Sequence, residues 1–167
     1  MALVIAKASY DLPLQGVDIQ HQPGGNNVQW QYSLLTKNYK RQIYVFEAPD
    51  AEAVQACFQQ ANIPFDSIWE ASKMRPNYAS FQRNENLLTV IEGTYPPITQ
   101  EFWDAANVRS LDCYKNRNVE WLHTFMSSDR TRLVCELNAP DAEGIRETYR
   151  RLNIPFERVW SAHFLKS

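Results

Sequence analysis

The alternation of apolar and polar positions in the second half of the chain predicts a series of strands and helices. Residues 87–92 form an apolar, partly β-branched run that is typical of a strand. Farther along, Ile145, Tyr149 and Leu152 recur at the i, i+4, i+7 spacing of one helix face. The other predicted elements are a helix at about 100–114 and strands at 119–126, 131–138 and 158–164. The predicted order is therefore β-α-β-β-α-β.

The first half of the chain repeats this pattern. Residues 28–72 align with residues 119–163 without a gap. The clearest recurring segments are Ala48–Glu52 as Ala139–Glu143, Asn62–Phe65 as Asn153–Phe156, and Trp69 as Trp160. Because each copy is one supersecondary unit, we predict repeat 1 at residues 1–72, a polar linker at 73–86 and repeat 2 at 87–167.

Two copies of this unit predict an α+β fold of two tandem ferredoxin-like repeats. In repeat 1 the segment Asp11–Asn27 is rich in proline and glycine, so its first helix is expected to be lost or reduced to a turn. Both faces of the strand at 119–126 are largely apolar, and a second apolar face needs a cover. We therefore expect the two repeats to close into a pseudo-dimeric α+β barrel around a central cleft. The role of the Asp11–Asn27 loop is left open.

Charge and composition exclude several classes of function. Seventeen Lys and Arg against nineteen Asp and Glu give a net charge of −2, so a nucleic-acid partner is not expected. The chain has no apolar run near the roughly 20 residues that span a bilayer and no signal peptide at its start, so no membrane association is expected. Its cysteines, Cys57, Cys113 and Cys135, lack metal-like spacing and suggest free thiols of a cytoplasmic protein.

His123 and Cys135 form the most specific candidate for a binding site. If the hairpin loop consists of residues 128–130, the two side chains face each other across neighbouring strands, with Cβ atoms about 4.5–5.5 Å apart. An imidazole and a thiolate suit a divalent metal such as nickel or zinc, and His163 on the last strand is the candidate third ligand. The alternative is plain packing of a buried histidine beside a small apolar cysteine.

The first copy has Tyr32 at the position of His123 and Tyr44 at the position of Cys135. These tyrosines keep the shape of the site but do not supply the metal ligands. This replacement favours packing. In the predicted barrel, Tyr32, Tyr44 and His123 are also candidates for lining the cleft and binding a small-molecule ligand. A tyrosine and a histidine at a cleft are able to do acid–base work, although lining of an apolar interface explains them equally well.

A set of short motifs carries a resemblance to a known family. These motifs are Trp-x-x-Ser/Thr, a central cysteine, Ala-Pro-Asp-Ala-Glu and Asn-x-Pro, present here at Trp121–Thr124, Cys135, Ala139–Glu143 and Asn153–Pro155. Together they resemble a family of small ferredoxin-like proteins, mostly of unknown function, some of which are described as nickel-binding. Members often carry a histidine in the second helix, where this chain has Cys57 and Thr148.

Three functions are compatible with these observations. The preferred hypothesis is a non-enzymatic protein, monomer or homodimer, that binds a small molecule or a divalent metal in the cleft between the repeats. The second is a small cofactor-independent enzyme with isomerase-like or monooxygenase-like chemistry, which rests on fold analogy. The third is an interaction scaffold that uses the basic helix face of Arg146, Arg150 and Arg151.

Overall fold

The computed structural model describes residues 1–77 and 80–166. In this part of the chain, eight antiparallel strands and four helices form an α+β fold. The chain divides into two compact units. Unit 1 contains Met1–Ala71 together with the C-terminal residues from His163 onward, and unit 2 contains Ser72–Ala162.

The first half of the chain has one long helix and one helical turn beside its strands. Its elements are β1 (Ala2–Ser9), α1 (Val17–Gln20), β2 (Gln29–Thr36), β3 (Arg41–Ala48), α2 (Ala51–Gln60) and β4 (Ser67–Met74). Strand β1 pairs with both β3 and β4, and β3 also pairs with β2. The segment expected to lose its helix keeps only the four residues of α1.

The second half has the same order of elements with a full first helix. They are β5 (Leu88–Thr94), α3 (Gln100–Asn116), β6 (Glu120–Ser127), β7 (Arg132–Asn138), α4 (Ala142–Arg151) and β8 (Arg158–Leu165). Strand β5 pairs with β7 and β8, and β7 also pairs with β6. This is the pairing pattern of the first half, and the presence of α3 is the main difference.

Local sequence signals explain where the shorter helices begin and end. The carboxylate of Asp50 accepts a hydrogen bond from the backbone N–H of Ala53, and Asp141 caps α4 through Gly144 in the same way. Both helices are followed by an asparagine in the left-handed region, at φ 54° for Asn62 and for Asn153. A proline two residues later prevents the helix from continuing.

One face of each sheet packs against its helices and forms a hydrophobic core. In unit 1 this core includes Val4, Tyr44, Phe46 and Phe58. In unit 2 it includes Ile91, Trp103, Trp121, Cys135, Leu137 and Ile145. No helix in the described residues is sufficiently long and apolar to cross a membrane.

A β-bulge lies at the same place in both hairpins. The register between β6 and β7 shifts between Trp121 and His123, and the register between β2 and β3 shifts between Trp30 and Tyr32. A bulge inserts one unpaired residue, which changes the face on which the following side chains lie. The bulges therefore decide which side chains reach the helix-facing side of each sheet.

Candidate functional site

The hairpin of unit 2 does not bring His123 and Cys135 together. His123 pairs with Glu136, and Thr124 pairs with Cys135. Because neighbouring residues of a strand point to opposite faces, His123 and Cys135 lie on opposite faces of the sheet. The predicted pairing of these two residues is wrong.

The length of the hairpin turn is the physical reason for this error. Strand β6 ends at Ser127 and β7 begins at Arg132, so the loop has four residues, 128–131, and not the three expected. The hydroxyl of Ser127 accepts hydrogen bonds from the backbone N–H groups of Thr131 and Arg132, which stabilises this turn. A register change of one residue moves every side chain to the other face.

His123 belongs instead to a buried ionisable network. Its Nε2 lies 2.6 Å from Oε2 of Glu136, a side chain with no exposed surface. Arg83 donates to the other oxygen of the same carboxylate from Nη2 at 2.7 Å and from Nε at 3.1 Å. The carboxylate therefore orients the imidazole and links it to Arg83, which lies in the segment before β5.

The same strand β7 holds part of the segment that was predicted to be a linker. The Asn138 side chain accepts a hydrogen bond from the N–H of Asn84 at 2.8 Å and donates one to the carbonyl of Gln82 at 2.8 Å. Residues 78 and 79 of the predicted linker lie outside the described residues. Near Asn84, the chain is thus fixed to the sheet by specific hydrogen bonds.

Cys135 lies on the helix-facing side and is a protonated thiol at neutral pH. Burial raises its pKa to about 12, and the charge of Glu136 acts in the same direction, while the hydrogen bond from Thr124 opposes them. The hydroxyl of Thr124 donates to Sγ at 2.9 Å. Because the thiolate is the form that binds metals and attacks electrophiles, this cysteine is poorly suited to either task.

The two tyrosines at the matching positions of unit 1 also lie on opposite faces. Tyr32 pairs with Val45, and Tyr44 pairs with Ser33. Tyr44 is part of the core under α2, and its hydroxyl lies 2.8 Å from that of Tyr10. The expectation that both tyrosines line one site is therefore wrong, since Tyr44 is enclosed on the helix side.

His163 lies in unit 1 beside a cationic side chain. Its ring stacks on Tyr39 at a centroid distance of 5.0 Å, and its Nδ1 lies 3.4 Å from Nζ of Lys37. Partial burial lowers the pKa of His163, and the ammonium of Lys37 lowers it further. A neighbouring positive charge opposes the binding of a metal cation at this imidazole.

The described residues do not fit the nickel or zinc site that the sequence suggested. They include no group of three or more His, Cys, Asp and Glu side chains placed to hold a metal ion. His123 and Cys135 are on opposite faces, and Cys135 keeps its proton. Two ligands on different faces cannot share one ion, which usually needs three or four protein ligands.

Unit 2 contains a partly open cavity between α3 and the helix-facing side of its sheet. Its volume is about 60 Å³. The cavity is lined mainly by apolar and aromatic side chains, with Thr124, Cys135 and Asn107 among the polar contributors. The rings of Trp103 and Trp121 meet edge to face there, with centroids 5.4 Å apart. A cavity of this size has room for about two water molecules or a small chemical group.

Asn107 leaves one polar atom of this cavity unsatisfied. The side chain is only 6% exposed, and its Nδ2 donates to the carbonyl of Trp103 at 2.8 Å. A carbonyl can only accept, so this bond fixes the orientation of the amide. Oδ1 of Asn107 has no hydrogen-bond partner in the described part of the chain. A buried acceptor without a partner costs about 1–3 kcal/mol, and a hydrogen-bond donor that reached Oδ1 would recover part of this cost.

The titratable groups of the cavity with resolved shifts are neutral at physiological pH. Burial raises the pKa of Tyr95 and of Tyr149 above the usual range of a phenol, as it raises that of the Cys135 thiol. Tyr95 donates to the carbonyl of Pro155 at 2.6 Å, which fixes its ring at the rim. The cavity is thus suited to holding an uncharged group through one acceptor.

Asn107 is not among the site residues predicted from the sequence, although the sequence contains a signal for it. The buried residues of α3 are Trp103, Asn107, Ser110 and Tyr114, which follow the i, i+4, i+7, i+11 spacing of one helix face. Two polar residues interrupt a stripe that would otherwise be aromatic and apolar. A buried asparagine in such a stripe indicates either a satisfied internal bond or a binding group, and only the contacts of Oδ1 distinguish them.

The chain is similar to a known protein family and, in its fold, to a solved structure. The model of the family described as "Nickel responsive protein SCO4226-like" matches residues 14–71 and 90–161, one segment in each half of the chain. No curated protein matches the chain. A solved structure from Fusobacterium nucleatum named "Putative monooxygenase" has a TM-score of 0.51 and 9% identity, over 98% of this chain and 92% of that chain. At this identity the likeness concerns the fold alone.

Proposed function

This chain belongs to the family of SCO4226-like nickel responsive proteins, as its motifs indicated, and we propose that it is a non-enzymatic binding protein for a small organic molecule. The proposed site is the cavity of unit 2. Its ligand carries an uncharged N–H or O–H donor, which reaches Oδ1 of Asn107. The single observation that carries this proposal is that this oxygen is buried and has no hydrogen-bond partner among the described residues.

The surroundings of Asn107 support an organic ligand over a metal ion. The rings of Trp103, Trp121 and Tyr114 are part of the lining, and ligand sites are typically apolar with a few placed polar groups. The neutral thiol of Cys135 adds no charge that would attract a cation. The family description names a response to nickel, but the residues described here do not supply the ligands that a nickel centre requires.

The finer features of the predicted architecture remain part of this proposal. The β-α-β-β-α-β order in both halves supports two ferredoxin-like repeats. Their closure into a pseudo-dimeric barrel around a central cleft, with Tyr32 and His123 in it, stays a prediction. The binding site proposed in unit 2 does not depend on it.

An enzymatic function has weaker support. The likeness to the structure named "Putative monooxygenase" concerns the fold, and a fold hosts many activities. The scaffold hypothesis is also weakened, because Arg146 and Arg150 each form an ion pair with Glu143 at 3.0 Å. One carboxylate of α4 thereby offsets one of the three positive charges of the basic helix face.

The proposal is tested with two probes of nearly equal size, butan-1-ol and 1-fluorobutane, whose functional ends are small enough to enter the cavity. Of the two, only the alcohol donates a hydrogen bond. Binding is followed by NMR through the indole N–H signals of the tryptophans. We expect the signals of Trp103 and Trp121 to shift and that of Trp30, in unit 1, to stay. The alcohol should bind about tenfold more tightly, which corresponds to a hydrogen bond to a buried acceptor.

A variant pair links this preference to the proposed acceptor. Asn107→Leu should abolish the preference for butan-1-ol over 1-fluorobutane. Gln59→Leu, at an exposed position of α2 in unit 1, should leave it unchanged. Unshifted Trp103 and Trp121 signals with both probes, or an unchanged preference in Asn107→Leu, would contradict the proposal.

A further inference from the structure

An apolar groove lies on the surface of unit 2 next to the cavity. Its volume is about 350 Å³, which is within the range of roughly 300–1,000 Å³ typical of small-molecule sites. Three prolines, Pro96, Pro97 and Pro155, form much of its lining. The groove has no charged side chain among its lining residues, so it is suited to an uncharged apolar body.

The groove and the cavity share part of their walls. Tyr95, Ile98 and Phe102 line both. Phe102 is 43% exposed, although it is a large apolar residue. Its backbone N–H is capped by the hydroxyl of Thr99 at 3.1 Å, which places the ring at the start of α3. The space around Asn107 and the open groove are therefore adjacent and share these three side chains as walls.

The two spaces differ in what they can hold. The cavity of about 60 Å³ has room for a small group only, yet it contains the unsatisfied acceptor. The groove is several times larger and mainly apolar, with Thr99 as a polar contributor besides the Tyr95 hydroxyl. Because the Tyr95 hydroxyl donates to Pro155, this donor is already engaged. The cavity is thus suited to hydrogen bonding with a ligand, and the groove is suited to burying the apolar surface of a ligand.

We infer that the ligand of unit 2 is an elongated molecule with a compact donor head in the cavity and an uncharged hydrocarbon body in the groove. This inference rests on the proposed function and extends it to a ligand class, the long-chain apolar alcohols and amides. Proline side chains lose no rotamer freedom on binding, so the groove is preorganised for the body of such a molecule.

A series of linear primary alcohols, from butan-1-ol to octan-1-ol, tests the inference on the intact chain. Each added methylene that enters the groove should tighten binding about fourfold, the effect expected for one buried CH₂ group. Affinity is measured from the indole signals of Trp103 and Trp121. In the wild-type protein we expect a continuous rise along the series.

Two proline variants give the matched comparison. Pro97→Glu places a carboxylate on the exposed wall of the groove and should flatten the dependence on chain length while leaving the affinity for butan-1-ol within about twofold. Pro13→Glu makes the same change at an exposed proline of unit 1 and should preserve the dependence.

The outcomes separate the two proposals. If butan-1-ol binds but longer alcohols do not bind more tightly, or if Pro97→Glu keeps the full dependence on chain length, the extension into the groove is refuted and the cavity site stands. If no alcohol of the series shifts the Trp103 and Trp121 signals, the cavity site and the extension both fall.

Discussion

The indole nitrogen of Trp121 donates a hydrogen bond of 3.0 Å to the hydroxyl of Thr124. Residues three apart on a regular strand point to opposite faces, so this bond exists only because the bulge between Trp121 and His123 returns Thr124 to the same face. Trp30 and Ser33 repeat the arrangement in unit 1 at 2.9 Å. The Trp-x-x-Ser/Thr motif therefore has a structural role, which is to fix the bulge of each hairpin.

The hydroxyl of Thr124 should matter more for stability than its methyl group. It accepts from Trp121 and donates to Sγ of Cys135, and its side chain is fully buried. Thr124→Val keeps the shape and removes both bonds, so we expect the free energy of unfolding to fall by about 1–3 kcal/mol. Thr124→Ser keeps the hydroxyl and should retain more of the stability. Urea denaturation of both variants provides the measurement, and equal stability of the two would refute this role.

Trp69 and Trp160 occupy matching positions in the two halves of the chain. We expect them to differ in how strongly they couple to the first strand of their unit. Trp160 donates to Oε2 of Glu92 at 2.7 Å. Lys7 takes the place of Glu92 in unit 1, because each lies two residues beyond the strand partner of its tryptophan. The Lys7 ammonium cannot accept a hydrogen bond, and Nε1 of Trp69 has no hydrogen-bond partner in the described residues. The ammonium of Lys7 lies 6.0 Å from the Trp69 ring.

Two double-mutant cycles measure this difference. The cycle of Trp160→Phe with Glu92→Met should give a coupling energy of about 1.5–3 kcal/mol, as expected for a hydrogen bond to an ionisable acceptor. The cycle of Trp69→Phe with Lys7→Met should give at most about 1 kcal/mol, as expected for a cation–π contact. A larger coupling in the second cycle would show that the assignment of partners is incorrect.

The buried thiol of Cys135 should make the protein less stable at alkaline pH. Its pKa rises from 9.0 to about 12 on folding, so above pH 9 the unfolded chain loses this proton while the folded chain keeps it. The folded state then binds more protons, and the free energy of unfolding decreases as pH rises, by at most about 1.4 kcal/mol per pH unit for one group. The raised pKa values of Tyr95 and Tyr149 act in the same direction, from pH 10 upward.

Replacement of the thiol isolates its contribution. In Cys135→Ala, the free energy of unfolding between pH 8 and pH 10 should decrease less steeply with pH than in the wild-type protein. The loss of the sulfur also changes the free energy of unfolding by an amount that does not depend on pH, so only the slopes are compared. Denaturant titrations at several pH values supply these slopes. Identical slopes in the two proteins would mean that the thiol ionises as easily in the folded chain as in the unfolded one.

Asn107 should lower the free energy of unfolding, although it is the residue proposed to bind the ligand. Asn107→Leu removes the buried oxygen without a partner and introduces a residue of higher helix propensity, so we expect a gain of about 1 kcal/mol despite the lost bond to the Trp103 carbonyl. A residue that weakens the fold and is needed for a ligand is typical of a functional site. A thermal unfolding midpoint that drops in the variant would indicate a structural role for this amide instead.

Sequence alone determined the order of elements and the positions of the helix ends. Asp50, Asp141 and the two Asn-x-Pro segments act through bonds to residues close in the chain, so their effect is visible in the local pattern. The family was also determined by the chain, because its motifs are short and contiguous.

Tertiary structure decided the site. The register of the β6–β7 hairpin at His123 depends on one extra turn residue, and this single step separated His123 from Cys135 and paired His123 with Glu136. The cavity around Asn107 depends on how α3 packs on the sheet, a relationship between segments far apart in the chain. Local patterns carry no information about such distances, since packing and register are set by contacts that only the folded chain brings together.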